Sequence, residues 1–191
     1  MQPIKYFHQR SIFFYFLFLS LSAQMYAQEV GGIWLDSKAK TKKDFHPKAS
    51  WIWMQDTGDV MLARKSWTIS EELEQAILYI SASSQYQLYL NGKYIARGPA
   101  RSAPHHQSVD AWEVKSQLRK GQNLLAIRVH KQDKKYSYHH ELRGGLWVQL
   151  EYTYENGKTL NLSDSTWKVH PDSSWDNEAP KINRFQQIVV D

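Results

Sequence analysis

The sequence predicts an all-β fold, a jelly-roll β-sandwich preceded by a signal peptide. Short segments that alternate apolar and polar residues recur at even spacing along the chain, and turn residues separate them. No helical periodicity interrupts them after residue 27. The content of eight Trp and eleven Tyr agrees, because aromatic residues favour strands and fill cores.

The strands are predicted from apolar alternation bounded by Gly, Pro, Asn or Asp. In the segment 60–69, Leu62 and Trp67 stand among charged residues, and the turn 56–59 precedes it. Trp112 anchors a short strand that follows a long loop. The predicted strands are 49–53, 60–69, 76–82, a strand ending at 90, 93–97, 109–114, 124–130, 146–154, 158–162 and 164–169.

Two Asn-Gly pairs predict tight hairpins. Asn91-Gly92 separates two strand-like runs, and a type I′ turn needs positive φ at both central positions, which Asn and Gly tolerate best. Asn156-Gly157 predicts a second hairpin on the same grounds. Gly121 and Asn123 are expected to redirect the chain into the strand at 124–130, because Asn side chains satisfy backbone groups at turns. These residues are interpreted as structural.

The first 27 residues are expected to form a secretory signal peptide. Lys5 and Arg10 precede an apolar run over 12–23, and Ala27 offers a cleavage position. The run is too short for a membrane helix, which needs about 20 apolar residues. An N-terminal membrane anchor is the alternative. The expected location is secreted or periplasmic, with no membrane association after cleavage.

Composition excludes several classes of function. The chain has no Cys, so neither disulfides nor Cys metal sites exist, and an exported domain of this kind is typical of bacteria. Removal of residues 1–27 leaves 22 basic against 19 acidic residues, a net charge of about +3. That excess is too small to predict nucleic-acid binding. The Lys-rich stretch 38–43 is interpreted as a solvated linker.

The chain divides into four predicted parts. Residues 1–27 are the signal peptide, 28–48 a polar leader, 49–170 the β-sandwich, and 171–191 an irregular tail that leads into a missing segment.

A metal site is not expected. His105-His106, His130 and His139-His140 offer imidazoles, which are common ligands. Adjacent His residues on a strand point to opposite faces, and no H-E-x-x-H pattern is present. Solvent-exposed loop His is the preferred interpretation, and no cofactor is predicted.

One ordered series of motifs resembles a known family. Tyr86-x-Leu-Tyr-Leu-Asn-Gly-Lys93 is followed by Arg97-Gly-Pro-Ala-Arg101, and then by the segment 118–129. This order resembles the galactose-binding-like jelly-roll domains of glycoside hydrolases. With Arg143-Gly-Gly-Leu146 and Asp164-Ser-Thr-Trp167, it is similar to the N-terminal domain of bacterial α-L-rhamnosidases. The resemblance covers residues 51–167.

The resemblance implies a non-catalytic role. The family carries its catalytic carboxylates in a large helical barrel, and inverting hydrolysis needs two such groups spaced to admit a water. This chain offers no helical region for such a barrel, so it is expected to be truncated and inactive alone, with no catalytic residue assigned. A small active hydrolase is the least favoured alternative.

The expected function is recognition of rhamnose-containing plant or bacterial glycans, or support of a catalytic domain or chain. A purely structural scaffold without sugar binding is the alternative. Loops at one end of a sandwich usually carry binding residues. The candidate carbohydrate-binding residues are Arg97, Arg101, His105, His106, Tyr136, Tyr138 and His139. The same loops could instead dock against a catalytic domain.

Overall fold

The computed structural model describes residues 33–34, 44–55, 58–103, 106–131 and 143–175. Its described strands are β1 Ile33–Trp34, β2 Val60–Ile69, β3 Gln75–Ser83, β4 Gln85–Leu90, β5 Lys93–Gly98, β6 Asp110–Glu113, β7 Gly121–His130, β8 Gly145–Tyr154, β9 Gly157–Leu162 and β10 Lys168–Pro171. A short 3-10 helix, Lys115–Gln117, precedes β7.

The strands form two antiparallel five-stranded sheets. The first sheet has the order β1-β6-β3-β8-β9 and the second the order β10-β2-β7-β4-β5. The longest ladders pair β2 with β7 and β3 with β8. The predicted all-β sandwich is confirmed.

The core lies between the two sheets. In β7 every second residue is buried, which places Leu125, Ile127 and Val129 inward and their neighbours outward. The inward side chains of β3 and β8 in the first sheet pack against them. The fully buried core residues from both sheets include Met61, Leu78, Ile80, Leu88, Leu90, Leu125, Ile127, Val129, Leu146, Val148 and Leu150.

The Asn91-Gly92 turn has the predicted geometry. Asn91 has φ 53° and Gly92 φ 82°, both in the left-handed region that a type I′ turn requires. Leu90 pairs directly with Lys93, so the two residues alone close the hairpin. The second hairpin differs from the prediction. Tyr154 pairs with Gly157, so its loop is Glu155–Asn156 and Gly157 already belongs to a strand.

A buried amide pair ties this hairpin to the start of β7. Asn91 donates from Nδ2 to Asn123 Oδ1 at 2.8 Å, and Asn91 Oδ1 accepts from Leu124 N at 2.9 Å. Asn123, which is buried, donates to the Arg119 and Gly121 carbonyls and accepts from Arg119 N. Asn123 thus satisfies three backbone groups that the turn before β7 leaves without partners.

The segment 44–50 covers part of the outer face of the first sheet. The Phe45 ring packs edge-on against Tyr79 and Trp147, with centroids 5.5 and 5.0 Å apart. His46 N donates to the buried Gln149 Oε1 at 2.8 Å. This part of the predicted polar leader is therefore packed against the sandwich.

Two further details differ from the predicted strands. Within the predicted strand 49–53, Ile52 makes an isolated bridge to Leu146, and no strand forms. The short strand β1 lies in the predicted leader. The predicted signal peptide lies outside the described residues. In the part of the chain that the structure describes, no helix has the length and apolar character that a membrane crossing requires.

The Asn123 network yields a stability prediction. Asn123→Ala removes the amide and leaves buried backbone groups unsatisfied, so we expect the free energy of unfolding to fall by about 2–3 kcal/mol. Urea denaturation followed by Trp fluorescence measures the loss. Gln122→Ala is the matched control, because the exposed Gln122 side chain bonds only to Thr68 Oγ1 among the described contacts. Equal losses in the two variants would contradict the assignment.

Candidate functional site

A cleft of about 830 Å³ opens where β4 begins and where β5 and β7 end. Three elements of the second sheet, β6 of the first sheet and the segment after β10 contribute to it. Its lining residues are Gln85, Tyr86, Gln87, Arg97, Gly98, Pro99, Ala100, Asp110, Trp112, Arg128, His130 and Trp175.

The Tyr86 hydroxyl forms the floor of the cleft and connects the two sheets. It donates to Asp110 Oδ2 at 2.5 Å and accepts from Trp112 Nε1 at 2.9 Å. Tyr86 lies on β4 of the second sheet, whereas Asp110 and Trp112 lie on β6 of the first. Alternation along β6 places these two side chains on the same face of that strand.

Burial controls the protonation of this floor. Desolvation raises the pKa of Tyr86, and the hydrogen bond to Asp110 and the charge of that carboxyl raise it further. The phenol therefore keeps its proton and remains a donor. Desolvation also raises the pKa of Asp110, while the hydrogen bond from Tyr86 opposes that rise.

Gly98 allows the floor to close. A Cβ at this position would lie 2.1 Å from Asp110 Oδ2 and 2.8 Å from the Tyr86 hydroxyl oxygen. Both distances are far shorter than any normal contact. Because Gly98 pairs with Tyr86 across β4 and β5, the absence of a side chain there makes room for the carboxyl from the opposite sheet.

The outer wall of the cleft consists of aromatic and charged side chains in contact. The Trp175 ring lies 4.7 Å from the His130 ring, and the Arg128 guanidinium carbon lies 5.6 Å from the centre of the indole ring system. Arg128 Nε is bonded to Asp172 Oδ2 at 2.7 Å. The hydrogen bond from Ser174 and, to a smaller extent, that from Arg128 hold the pKa of Asp172 below its usual range. Trp175 remains 38% exposed.

Gln87 and Arg97 complete the rim. Gln87 pairs with Arg128 on one side and with Arg97 on the other, so the three side chains share the outer face of the second sheet. The rim offers an amide and a guanidinium beside an indole. Groups of these kinds hydrogen-bond to hydroxyls and stack on apolar ring faces.

The predicted site residues divide into three groups. Arg97 lines the cleft. Arg101 and His106 are exposed, and they do not line it. His105, Tyr136, Tyr138 and His139 lie outside the described residues, so their assignment stays a prediction. Within the described ranges, no cluster of three or more His, Asp or Glu side chains is arranged to hold a metal ion.

Sequence reasoning missed most of the cleft. Gln87 and Arg128 alternate with buried residues, which marks them only as outward-facing strand positions. Trp175 falls in the predicted irregular tail. Asp110 and Trp112 belong to the predicted strand 109–114, but no local pattern shows that they meet Tyr86.

The two antiparallel sheets with a cleft at one end define a β-sandwich domain. Within that fold class, the chain belongs to the family described as the α-L-rhamnosidase N-terminal domain, whose model matches residues 71–179. No curated protein matches the chain.

Solved structures agree with this assignment. A GH78 rhamnosidase of Bacillus sp. GL1 is 31% identical, with a TM-score of 0.56, over 64% of this chain and 13% of its own. The α-L-rhamnosidase from Aspergillus terreus shares the fold at 22% identity and a TM-score of 0.57, over 69% and 17% of the two chains. The apo lectin from Pleurotus ostreatus also shares it, at 21% identity and a TM-score of 0.50, over 72% and 38%. The chain thus spans a small part of each rhamnosidase.

Gly98 provides a test of the cleft floor. We expect Gly98→Ala to destabilise the protein by ~2 kcal/mol or more, because the added methyl group displaces Asp110 or Tyr86. Thermal unfolding with near-UV circular dichroism measures the loss and the altered Tyr environment. Gly157→Ala is the control, since nothing lies within 4 Å of a Cβ there. An unchanged melting temperature for Gly98→Ala would show that the floor is looser than described.

Asp110 gives a pH dependence of defined sign. Its pKa is raised above the ordinary Asp value of 3.8 in the folded state, so folding favours the protonated form. This carboxyl should lower the free energy of unfolding as the pH rises from about 3.8 through the raised value. Asp110→Asn does not titrate, so its stability relative to the parent protein should increase over that window. Denaturation at a series of pH values tests this, and a difference that stays constant with pH would contradict it.

Proposed function

We propose that this chain is the non-catalytic accessory domain of an α-L-rhamnosidase-like protein and that its cleft binds a rhamnose-containing glycan. The observation that carries the proposal is the exposed Trp175 indole beside the Gln87 and Arg97 side chains. Aromatic faces with a few placed polar groups are typical of ligand sites. The family supports the choice of sugar class.

The chemistry of the cleft fits a deoxysugar. Rhamnose has a methyl group where other hexoses have a hydroxymethyl group, so it presents more apolar surface to an indole ring. The remaining hydroxyls can accept from Arg97 and exchange hydrogen bonds with the Gln87 amide. Asp110 offers a carboxyl oxygen at the floor as an acceptor.

Export would bring the domain to its ligand. The signal peptide predicted over residues 1–27 agrees with this role, because polymeric glycans lie outside the cytoplasm.

A scaffold role is the second candidate. The outer face of the second sheet exposes Leu62, Tyr94 and Leu124, each by more than a third. Exposed apolar side chains of this kind can contact another domain of a longer protein. The rhamnosidase structures, of which this chain covers less than a fifth, favour the presence of such domains.

Replacement of Trp175 distinguishes the two candidates. We expect the protein to bind rhamnosyl oligosaccharides with roughly micromolar to millimolar affinity, and Trp175→Ala to weaken binding by at least about tenfold through loss of stacking. Titration calorimetry or ligand-observed NMR measures the change. Trp51→Ala is the matched control, because Trp51 is 48% exposed and does not line the cleft. No binding by the parent protein, or equal losses in both variants, would favour the scaffold role.

A further inference from the structure

The two sheets differ sharply in charge. The five strands of the second sheet contain six Lys or Arg and neither Asp nor Glu. The strands of the first sheet contain three acidic residues and one Lys. The net charge of the whole chain is modest, but the positive charge of the strands is concentrated on the second sheet.

Most of these cations have no carboxylate partner among the described residues. Lys65 pairs with Asp164, and Arg128 with Asp172. The other four, Arg64, Lys93, Arg97 and Lys168, form no ion pair with any carboxylate among the described residues.

Two of the unpaired cations lie directly opposite each other. Arg64 of β2 is the cross-strand partner of Lys168 of β10, and both side chains are exposed on the outer face. Like charges at such a position repel across about 5 Å. An anion held between the two side chains would turn this repulsion into attraction.

The cationic pair belongs to a row that crosses the whole sheet. From Arg64 the row continues through its cross-strand partner Ala126 to Tyr89 and then Tyr94. The Tyr89 and Tyr94 rings pack edge-on, with centroids 5.5 Å apart. The row spans about 19 Å across five strands. Its smallest side chain, Ala126, lies between the cationic end and the aromatic end.

A parallel row connects this face to the cleft. Its members in order are His170, Leu62, Arg128, Gln87 and Arg97, and the last three line the cleft. The two rows lie two residues, or about 7 Å, apart along β10, β2, β7 and β4, and three residues apart along β5, where the pairing shifts register. A polymeric ligand that extends from the cleft across the outer face of the sheet would thus pass over the Arg64 and Lys168 side chains.

We propose that the ligand is a carboxylate-bearing glycan, with a neutral sugar in the cleft and its acidic groups on the outer face of the second sheet at Arg97, Arg64 and Lys168. This inference rests on the proposed function and adds the charge of the ligand to it. Guanidinium groups bind carboxylates through paired, charge-assisted hydrogen bonds. The neutral positions between the cations offer amide and aromatic side chains, which suit sugar rings.

A glycan fits this face better than an acidic protein does. The exposed Leu62 and Leu124 have Arg128 and Ser66 as cross-strand partners, so the two leucines form no contiguous aliphatic centre on this face. Stable protein interfaces usually have such a centre, filled by aromatic or aliphatic anchors.

The test compares one glycan with and without its charge. The probes are an oligosaccharide of alternating rhamnose and galacturonic acid and the same oligosaccharide with its carboxyl groups reduced to alcohols. We expect the purified chain to bind the acidic form at least about tenfold more tightly at low salt and to lose that advantage as salt rises. Arg64→Gln with Lys168→Gln should remove most of the advantage and leave binding of the reduced form unchanged.

Lys48→Gln with Lys115→Gln is the matched control. Both side chains are exposed, lie off the second sheet and change the net charge equally. We expect this variant to bind both probes as the parent protein does, and circular dichroism verifies that every variant is folded. A loss of the acidic advantage in this control equal to that of the Arg64 and Lys168 variant would overturn the inference in favour of a general charge effect.

The remaining outcomes separate the two proposals. Equal affinity for both probes, with both weakened by Trp175→Ala, would overturn the acidic ligand and leave the sugar-binding cleft intact. Binding of poly-glutamate or single-stranded DNA as tight as that of the acidic glycan, and insensitive to Trp175→Ala, would overturn it in favour of another polyanion. If neither glycan binds, the proposed function fails and the inference fails with it.

Discussion

The Tyr86 hydroxyl is the group on which the rest of the cleft depends. It is a buried phenol, and a buried phenol requires partners, which it finds in the Asp110 carboxyl and the Trp112 indole of the opposite sheet. These two bonds connect β4 of one sheet to β6 of the other. Gly98 supplies the space, so one hydroxyl and one missing side chain together define the opening.

The two outer faces of the sandwich have different surroundings. Phe45 and the segment around it pack on the first sheet, which carries the acidic strand residues. The second sheet exposes Arg64, Lys93, Tyr94, Arg97 and Lys168, and its rim merges with the cleft. The wall there is held by Arg128, which contacts both the Asp172 carboxylate and the Trp175 ring. One face is therefore used for structure, and the other is available for a ligand.

Local patterns were sufficient for most of the strands but not for the site. The strand Val60–Ile69 and the Asn91-Gly92 turn were predicted as found, because alternation and φ preference act over a few residues. Tyr86 and Asp110 are 24 residues apart, and Arg128 and Asp172 are 44 apart. Their contacts arise from how the sheets pack, which no short window records. Arg97 was identified because it begins a loop at one end of the predicted sandwich, whereas Trp175 lies where the pattern gives no signal.

The position of β5 at the edge of the second sheet has a consequence for assembly. An edge strand presents unpaired backbone groups that can recruit a strand from another molecule, and charged side chains along it prevent this. β5 carries Lys93 and Arg97, and the opposite edge strand, β10, ends at Pro171. The guanidinium at the mouth of the cleft thus also guards a sheet edge against aggregation. Solubility at high protein concentration and the proposed ligand contact accordingly depend on the same side chain.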